Sequence, residues 1–113
     1  MPALKNITTG EIIAANVVRA DGFWRRLVGF MASHRVRPDD GLWYDNCSAI
    51  HTMGMKERID VVFLDKHCRV IRVERAIPRY RFAITRGARA VVELGEATLQ
   101  GRDLLTGDEL ALE

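Results

Sequence analysis

The chain has 113 residues, of which 48% are hydrophobic and 28% are charged, and its net charge is +2. These proportions are typical of a folded globular protein and exclude a disordered chain. The small net charge does not by itself indicate nucleic acid or an anionic membrane as a partner. No stretch reaches the roughly 18 apolar residues of a membrane helix, and no signal peptide is recognisable. We therefore expect one cytoplasmic domain over residues 1–113, with no membrane partner.

The first third of the chain predicts strand followed by helix. Ile7–Arg19 is rich in β-branched residues and is predicted as strand. Asp21 can cap a helix, because apolar residues then recur at steps of three and four: Phe23, Trp24, Leu27, Val28, Phe30 and Met31. Arg37–Gly41 has the composition of a turn. Gly41–Cys47 is predicted as the next strand, with Trp43 and Cys47 on one face.

The remainder of the chain predicts further β structure. Ile59–Asp65 and Cys68–Glu74 have the pattern of a hairpin, and Ile77–Pro78 must lie at an edge, a bulge or a loop. Beyond it we predict a strand, one or two helical turns and a last strand, at Ala90–Leu94, Ala97–Leu105 and Leu110–Leu112. Many short strands separated by turns indicate a mainly β fold, a compact sandwich or barrel-like domain with one helix after the first strands.

The centre of the chain, Cys47–Asp65, has the pattern C-x-x-I-H-T-x-x-M-x-x-x-I-D-V-x-F-L-D. Further pairs typical of the same pattern are Gly41–Leu42, Glu93–Leu94 and Gly107–Asp108. The sequence from Ala15 to Leu112 thus resembles a family of small prokaryotic proteins called domain of unknown function 192. The resemblance implies a compact β-sandwich-like domain and no established activity. Relatives carry glycine where this chain has Ala97, and alanine disfavours a tight left-handed turn there.

The same central segment contains soft side chains of the kind that bind copper(I), namely Cys47, His51, Met53 and Met55. In an extended strand, Cys47 and Met55 would lie about 26 Å apart at roughly 3.3 Å per residue, too far to share one ion. A turn at Gly54 would bring them closer. The interpretation we favour is that the sulfur side chains fill the core, with His51 hydrogen-bonded inside it. We therefore predict no metal and no cofactor.

The histidine also permits catalytic interpretations. His51 with Asp60 could form an acid–base pair, and Cys47 with His51 a nucleophile and its base. No glycine-rich loop or helix N-terminus beside Cys47 offers an oxyanion hole, however. A buried Asp60 that accepts hydrogen bonds from Thr52, His51 or backbone amides accounts for the pattern more simply. We expect Asp60 and His51 to be mostly buried and hydrogen-bonded.

Arginine is concentrated in the segment Arg69–Arg89, which contains seven arginines and only one acid, Glu74. Such a segment can bind anions or single-stranded nucleic acid. An arginine-rich edge that discourages strand aggregation is the favoured alternative, so nucleic acid is not an expected partner.

The function that the sequence favours is a non-catalytic binding module for a small ligand or a protein partner, with its site near His51 and Asp60. A small metal-assisted or His/Asp enzyme and an anion-binding protein remain the alternatives. The predicted ligand-binding residues are Cys47, His51, Thr52, Met55 and Asp60. Cys47 and Cys68 are expected to be unpaired, as in other cytosolic proteins.

Overall fold

The structure is a computed structural model, and it describes residues 2–19, 38–51, 58–78 and 81–113. In these ranges the chain forms ten strands: β1 (Leu4–Asn6), β2 (Ile12–Ala14), β3 (Asn16–Arg19), β4 (Asp40–Asp45), β5 (Ala49–His51), β6 (Ile59–Leu64), β7 (Val70–Ile77), β8 (Phe82–Ile84), β9 (Ala90–Gly95) and β10 (Leu110–Leu112). The fold is mainly β, as predicted. The helix expected after Asp21 lies outside the described residues. Within them, no helix is long and apolar enough to span a membrane.

Five strands form the central sheet in the order β3-β4-β9-β6-β7, which is antiparallel except where β3 pairs with β4. Every residue of its two innermost strands, β6 and β9, is buried. Since successive side chains of a strand point to opposite faces, both faces of this sheet must be covered.

One face is covered by a three-stranded sheet in the order β10-β1-β2. The side chains between the two sheets form the inner core, whose largest members are Leu4, Ile13, Trp43, Leu64, Leu94, Leu99 and Leu110. Backbone hydrogen bonds join the sheets at both edges, from the Val17 amide to the Pro2 carbonyl (2.9 Å) and from the Leu110 amide to the Cys68 carbonyl (2.9 Å). The two sheets therefore close around the inner core in a barrel-like arrangement.

The opposite face of the central sheet is covered in part by the pair β5 and β8, which forms a separate two-stranded sheet. Between them lies the outer core, formed by Ile50, Ile59, Val61, Phe63, Ile77, Ala88 and Val91. The candidate site described below lies on this face.

The central hairpin has the predicted position, with β6 paired to β7 across the turn that begins at Asp65. The Oδ1 atom of Asp65 accepts hydrogen bonds from the amides of His67 (2.8 Å) and Arg69 (3.0 Å). The bond from the Arg69 amide is the main cause that lowers the pKa of Asp65 below its usual value. β7 runs on to Ile77, at the edge of the central sheet, which agrees with the interruption that Pro78 predicts.

The turn after β9 departs from the expectation for Ala97. This residue has a left-handed backbone, with φ of +69°, although alanine disfavours that conformation. Beyond it the amides of Gln100 and Arg102 bond to the carbonyls three residues earlier, so tight turns replace the helical turns predicted for Ala97–Leu105.

We expect Ala97→Gly to raise the free energy of unfolding by about 1 kcal/mol, because relief of the left-handed strain exceeds the entropy that glycine adds to the unfolded chain. Urea unfolding measures the difference. Ala15→Gly is the control, since Ala15 is exposed and has no positive φ, and it should lower stability slightly. A loss of stability in both variants would contradict the strain at Ala97.

Candidate functional site

Among the described residues, the outer-core face of the central sheet carries one deeply buried acid, Glu93. In the sheet it pairs with Leu42 of β4 and with Val61 of β6, so both cross-strand neighbours are apolar. Only 7% of Glu93 is exposed. A carboxyl group in such surroundings is expensive to ionise, because it loses hydration that apolar neighbours cannot replace.

The partner of Glu93 is the hydroxyl of Tyr44, which lies on the same face and is itself buried. Burial raises the pKa of Glu93 to about 7, and the hydrogen bond that Tyr44 donates opposes this rise only in part. The carboxyl group therefore changes its protonation state near neutral pH. It can act either as a hydrogen-bond donor or as a buried anion.

Glycine at position 41 holds β4 close to the backbone of Glu93. A Cβ atom at Gly41 would overlap the carbonyl oxygen of Glu93 and the side chain of Leu94. The close approach of the two strands therefore requires glycine here, which gives a physical reason for the Gly41–Leu42 step in the sequence.

Asp60 lies on the other face of the sheet. It pairs with Leu94, whose side chain belongs to the inner core, whereas its neighbours Ile59 and Val61 belong to the outer core. Asp60 is 2% exposed, and its Oδ1 and Oδ2 accept hydrogen bonds from the amides of Ala76 (2.8 Å) and Leu99 (3.0 Å). The expected burial and hydrogen bonding of Asp60 are confirmed, with backbone amides as the partners.

These two amides come from irregular backbone that Asp60 holds in place. Ile59 pairs with Ile77 and Val61 with Glu74, so β7 has one extra residue opposite Asp60 and forms a bulge there. Ala76 in the bulge has a positive φ of 52°. Asp60 thus joins the bulge to the turns after β9, which is a structural role.

Cys47 is half-buried and packs against the outer core, and its Sγ donates to the carbonyl of Ala49 at 3.1 Å. The prediction that Cys47 shares a face with Trp43 is wrong, since Trp43 packs in the inner core. The physical reason is that β4 ends at Asp45 and Asn46 adopts a left-handed φ of 52°, which breaks the alternation of side chains. Cys47 and Asp60 therefore belong to opposite faces of the central sheet.

The other predicted ligand-binding residues are described in part or not at all. The backbone of His51 ends β5 and pairs with Phe82 of β8. The side chain of His51 lies outside what the structure describes, as do Thr52, Met53 and Met55.

In the described part of the chain, no three histidine, cysteine, aspartate or glutamate side chains are placed to hold one metal ion. Cys47 and Cys68 are both free thiols, as predicted. Burial raises the pKa of the Cys68 thiol, which disfavours the thiolate form.

Three of the arginines in the Arg69–Arg89 segment are bound within the protein at separate places. Arg69 bonds to the carbonyl of Gly107 and lies near Glu109. Arg72 forms an ion pair with Glu74 (2.7 Å) and lies over the ring of Phe63. Arg75 bonds to the carbonyls of Leu99 and Arg102. These three side chains therefore do not form one continuous basic face.

Glu93 is the site residue that sequence reasoning did not identify. The signal was an acid inside an otherwise apolar strand, Ala90–Gly95, where an alternating pattern would leave it on a buried face. The sequence contains Glu93 only as part of a pair typical of the family, and the depth of its burial depends on strands far away in the chain.

Known proteins match this chain along almost its whole length. The chain is 30% identical over 118 residues to a UPF0127 protein from Thermococcus sibiricus. The matching region covers 97% of this chain and 74% of that protein. A crystal structure from Sinorhizobium meliloti 1021, provisionally described as a transcription regulator, superposes with a TM-score of 0.81 at 18% identity and covers 98% of this chain and 92% of that one.

A protein of unknown function from Novosphingobium aromaticivorans has the same fold, with a TM-score of 0.77 at 15% identity over 98% of this chain and 84% of that one. These two likenesses show the fold alone. The model of the DUF192 family, described as "Uncharacterized ACR", matches residues 4–112. The chain therefore belongs to the DUF192 family.

Proposed function

We propose that this protein is a non-catalytic binding module for a small ligand, with Glu93 and Tyr44 at the centre of its site. The observation that carries the proposal is a buried carboxyl group whose cross-strand neighbours in β4 and β6 are apolar and whose partner among the described residues is one hydroxyl group. The site lies on the sheet face that β5 and β8 cover in part.

A purely structural role explains Glu93 poorly. Raising its pKa from 4.5 to about 7 corresponds to a loss of about 3 kcal/mol of stability at neutral pH. Leucine or valine would pack against Leu42 and Val61 without that loss. Buried acids with strongly shifted pKa values and a specific partner are concentrated at functional sites.

The chemistry of the pair indicates the class of ligand. An amine or another cationic group would stabilise the ionised form of Glu93, while the apolar residues of the outer core would contact a hydrocarbon portion. The ligand is therefore a small, mainly apolar molecule with one cationic or hydrogen-bonding group. Cys47, His51, Thr52 and Met55 remain predicted contacts, because they lie in β5 or next to it in the sequence.

Asp60 has a different place in this proposal. Its two oxygens accept hydrogen bonds from the amides of Ala76 and Leu99, which supports a structural role over acid–base catalysis through this carboxylate. The free thiols of Cys47 and Cys68 support a cytosolic location, which is likewise a proposal.

Chemical-shift mapping tests the site, using a panel of primary amines, metal ions, nucleotides and small carboxylates. We expect an amine to perturb the signals of Glu93, Tyr44 and Val61, and we expect Glu93→Gln to abolish the effect. Glu74→Gln is a matched control, since Glu74 pairs with Val61 from the other side but is half-exposed.

Binding that is the same in wild type and in Glu93→Gln would contradict the proposed site. Perturbations confined to the Arg69–Arg89 segment would favour the anion-binding alternative instead.

A further inference from the structure

The pair of strands β5 and β8 presents apolar side chains to solvent on its outer side. The register places Ile50 opposite Ala83, and both of these side chains pack towards the outer core. Because successive side chains of a strand point to opposite faces, Phe82 and Ile84 point away from that core. They are 66% and 60% exposed, so two large apolar side chains lie close together at the surface.

The backbone of β8 is occupied on both sides at Ile84. One side pairs with β5. On the other side, Nη1 of Arg72 donates hydrogen bonds to the carbonyl of Ile84 (3.2 Å) and to the hydroxyl of Thr85 (3.1 Å). A partner at this surface therefore meets side chains and not a free strand edge, which disfavours recognition by strand addition.

Positive charge adjoins these apolar side chains. Arg86 follows the end of β8 by two residues, and Arg86 and Arg89 are both exposed. Neither of them forms an ion pair with any residue that the structure describes. Residues 75–92 contain no acid, and Glu74 before them is paired with Arg72. The net charge of +2 thus conceals a local excess of positive charge beside β8.

We propose that the outer side of β8 docks on the surface of a membrane that contains anionic lipids. Phe82 and Ile84 would enter the boundary between headgroups and acyl chains, and Arg86 and Arg89 would lie among the anionic headgroups. Stable attachment to a membrane surface commonly combines two weak signals, apolar insertion and basic charge, and this surface offers both.

The sequence predicted no membrane partner because it lacks a spanning segment and has a small net charge. Neither property opposes docking at the surface, since docking uses only the local side chains. A cytoplasmic leaflet carries a negative surface potential, so this docking is compatible with the proposed cytosolic location. The docking surface is independent of the proposed ligand site at Glu93.

Other occupants fit these observations less well. A stable protein interface buries about 800 Å² on each partner and involves roughly 20–30 residues, whereas the described side chains of β5 and β8 include two large apolar ones that are strongly exposed, Phe82 and Ile84. A second copy of this surface would bring the same arginines together, and like charges disfavour that pairing. A lipid surface needs neither a complementary shape nor directional hydrogen bonds.

Co-sedimentation with vesicles measures the affinity of the whole protein for lipid. The vesicles contain phosphatidylcholine and phosphatidylserine in equal parts, or phosphatidylcholine alone. We expect binding to the anionic vesicles that weakens as salt is added, and no measurable binding to the neutral ones. Phe82→Ser, Ile84→Ser and Arg86→Glu should each weaken binding by about tenfold.

Two matched controls lie in the three-stranded sheet, on the other side of the central sheet. Ile12→Ser removes a 46% exposed apolar side chain from β2, and Lys5→Glu on β1 makes the same change of charge as Arg86→Glu. Both should leave the affinity close to that of wild type, because these positions lie away from the lipid and their charges are screened by salt. Circular dichroism establishes that each variant is folded.

A tryptophan probe measures insertion separately. The fluorescence of Phe82→Trp, taken relative to wild type, should shift to shorter wavelength when anionic vesicles are added, and that of Ile12→Trp should not. The proposal is overturned if the anionic vesicles do not bind, if the neutral vesicles bind equally well, or if Phe82→Ser and Ile84→Ser bind like wild type.

Two further results would overturn it in favour of another occupant. Tighter binding to soluble polyglutamate than to the anionic vesicles would indicate an acidic protein partner. Concentration-dependent dimers that Phe82→Ser abolishes would indicate a second copy of the chain.

Discussion

The difference in stability between Glu93→Gln and wild type should grow by about 3 kcal/mol as the pH rises from about 4.5 to about 7. In the folded protein the pKa of Glu93 is raised to about 7 from an ordinary value of 4.5. Between these two pH values the folded state therefore binds more protons than the unfolded state. Wild type accordingly loses stability as the pH rises through this window, and the glutamine variant does not undergo that loss.

Urea unfolding of both proteins at a series of pH values measures this difference. The contributions of other groups, such as Asp65, are common to both proteins and cancel in the difference. Glu74→Gln is the control, because Glu74 is half-exposed and paired with Arg72. Glu93 is unchanged in this variant, so its stability should still fall as the pH rises from about 4.5 to about 7. Parallel curves for wild type and Glu93→Gln would show that Glu93 does not have a raised pKa.

Tyr44→Phe tests the hydrogen bond separately. Since the Tyr44 hydroxyl favours the ionised carboxylate, its removal should raise the pKa of Glu93 further. Carbon-13 NMR of the glutamate carboxyl groups measures this pKa directly. An unchanged or lowered pKa in Tyr44→Phe would contradict the interaction.

Asp60→Ala should lower the free energy of unfolding by about 3 kcal/mol, because two backbone amides lose a charged acceptor. The amide of Leu99 is buried and that of Ala76 is partly buried, so water cannot fully replace the carboxylate. The substitution should remove the hydrogen bonds through which Asp60 connects the bulge in β7 to the turns after β9.

Urea unfolding is again the measurement, with Asp103→Ala as the control. Asp103 is an exposed aspartate in the same region of the chain, and its replacement should change stability by less than about 0.5 kcal/mol. An unchanged free energy of unfolding in Asp60→Ala would contradict the structural role of this carboxylate.

Local patterns predicted the parts of the fold that depend on neighbouring residues. The hairpin of β6 and β7 follows from two alternating segments around the turn at Asp65, and β9 and β10 follow from short apolar runs bounded by turns. Here the information lies within about ten residues of each element.

The strands that sequence patterns did not predict depend on pairing with strands that are distant in the chain. β1 has three residues and is stabilised by pairing with β10 at the other end of the chain. β8 likewise exists through its pairing with β5. Single-sequence periodicity contains no signal for such pairings, because a strand of three residues is too short to alternate.

The candidate site shows the same limit. The sequence places Asp60 and Cys47 close together, but β6 directs Asp60 into the inner core while the turn at Asn46 directs Cys47 to the outer one. Glu93 reaches the outer face because β9 is inserted between β4 and β6. Strand order, which sequence pattern does not determine, decides which acid lies at the site.

Native mass spectrometry of protein purified from its own host tests most directly whether Glu93 is the centre of a ligand site. Wild type and Glu74→Gln should both retain the same small molecule or ion, and Glu93→Gln should have lost it. Retention of the same mass by all three proteins, or by none of them, would contradict the account.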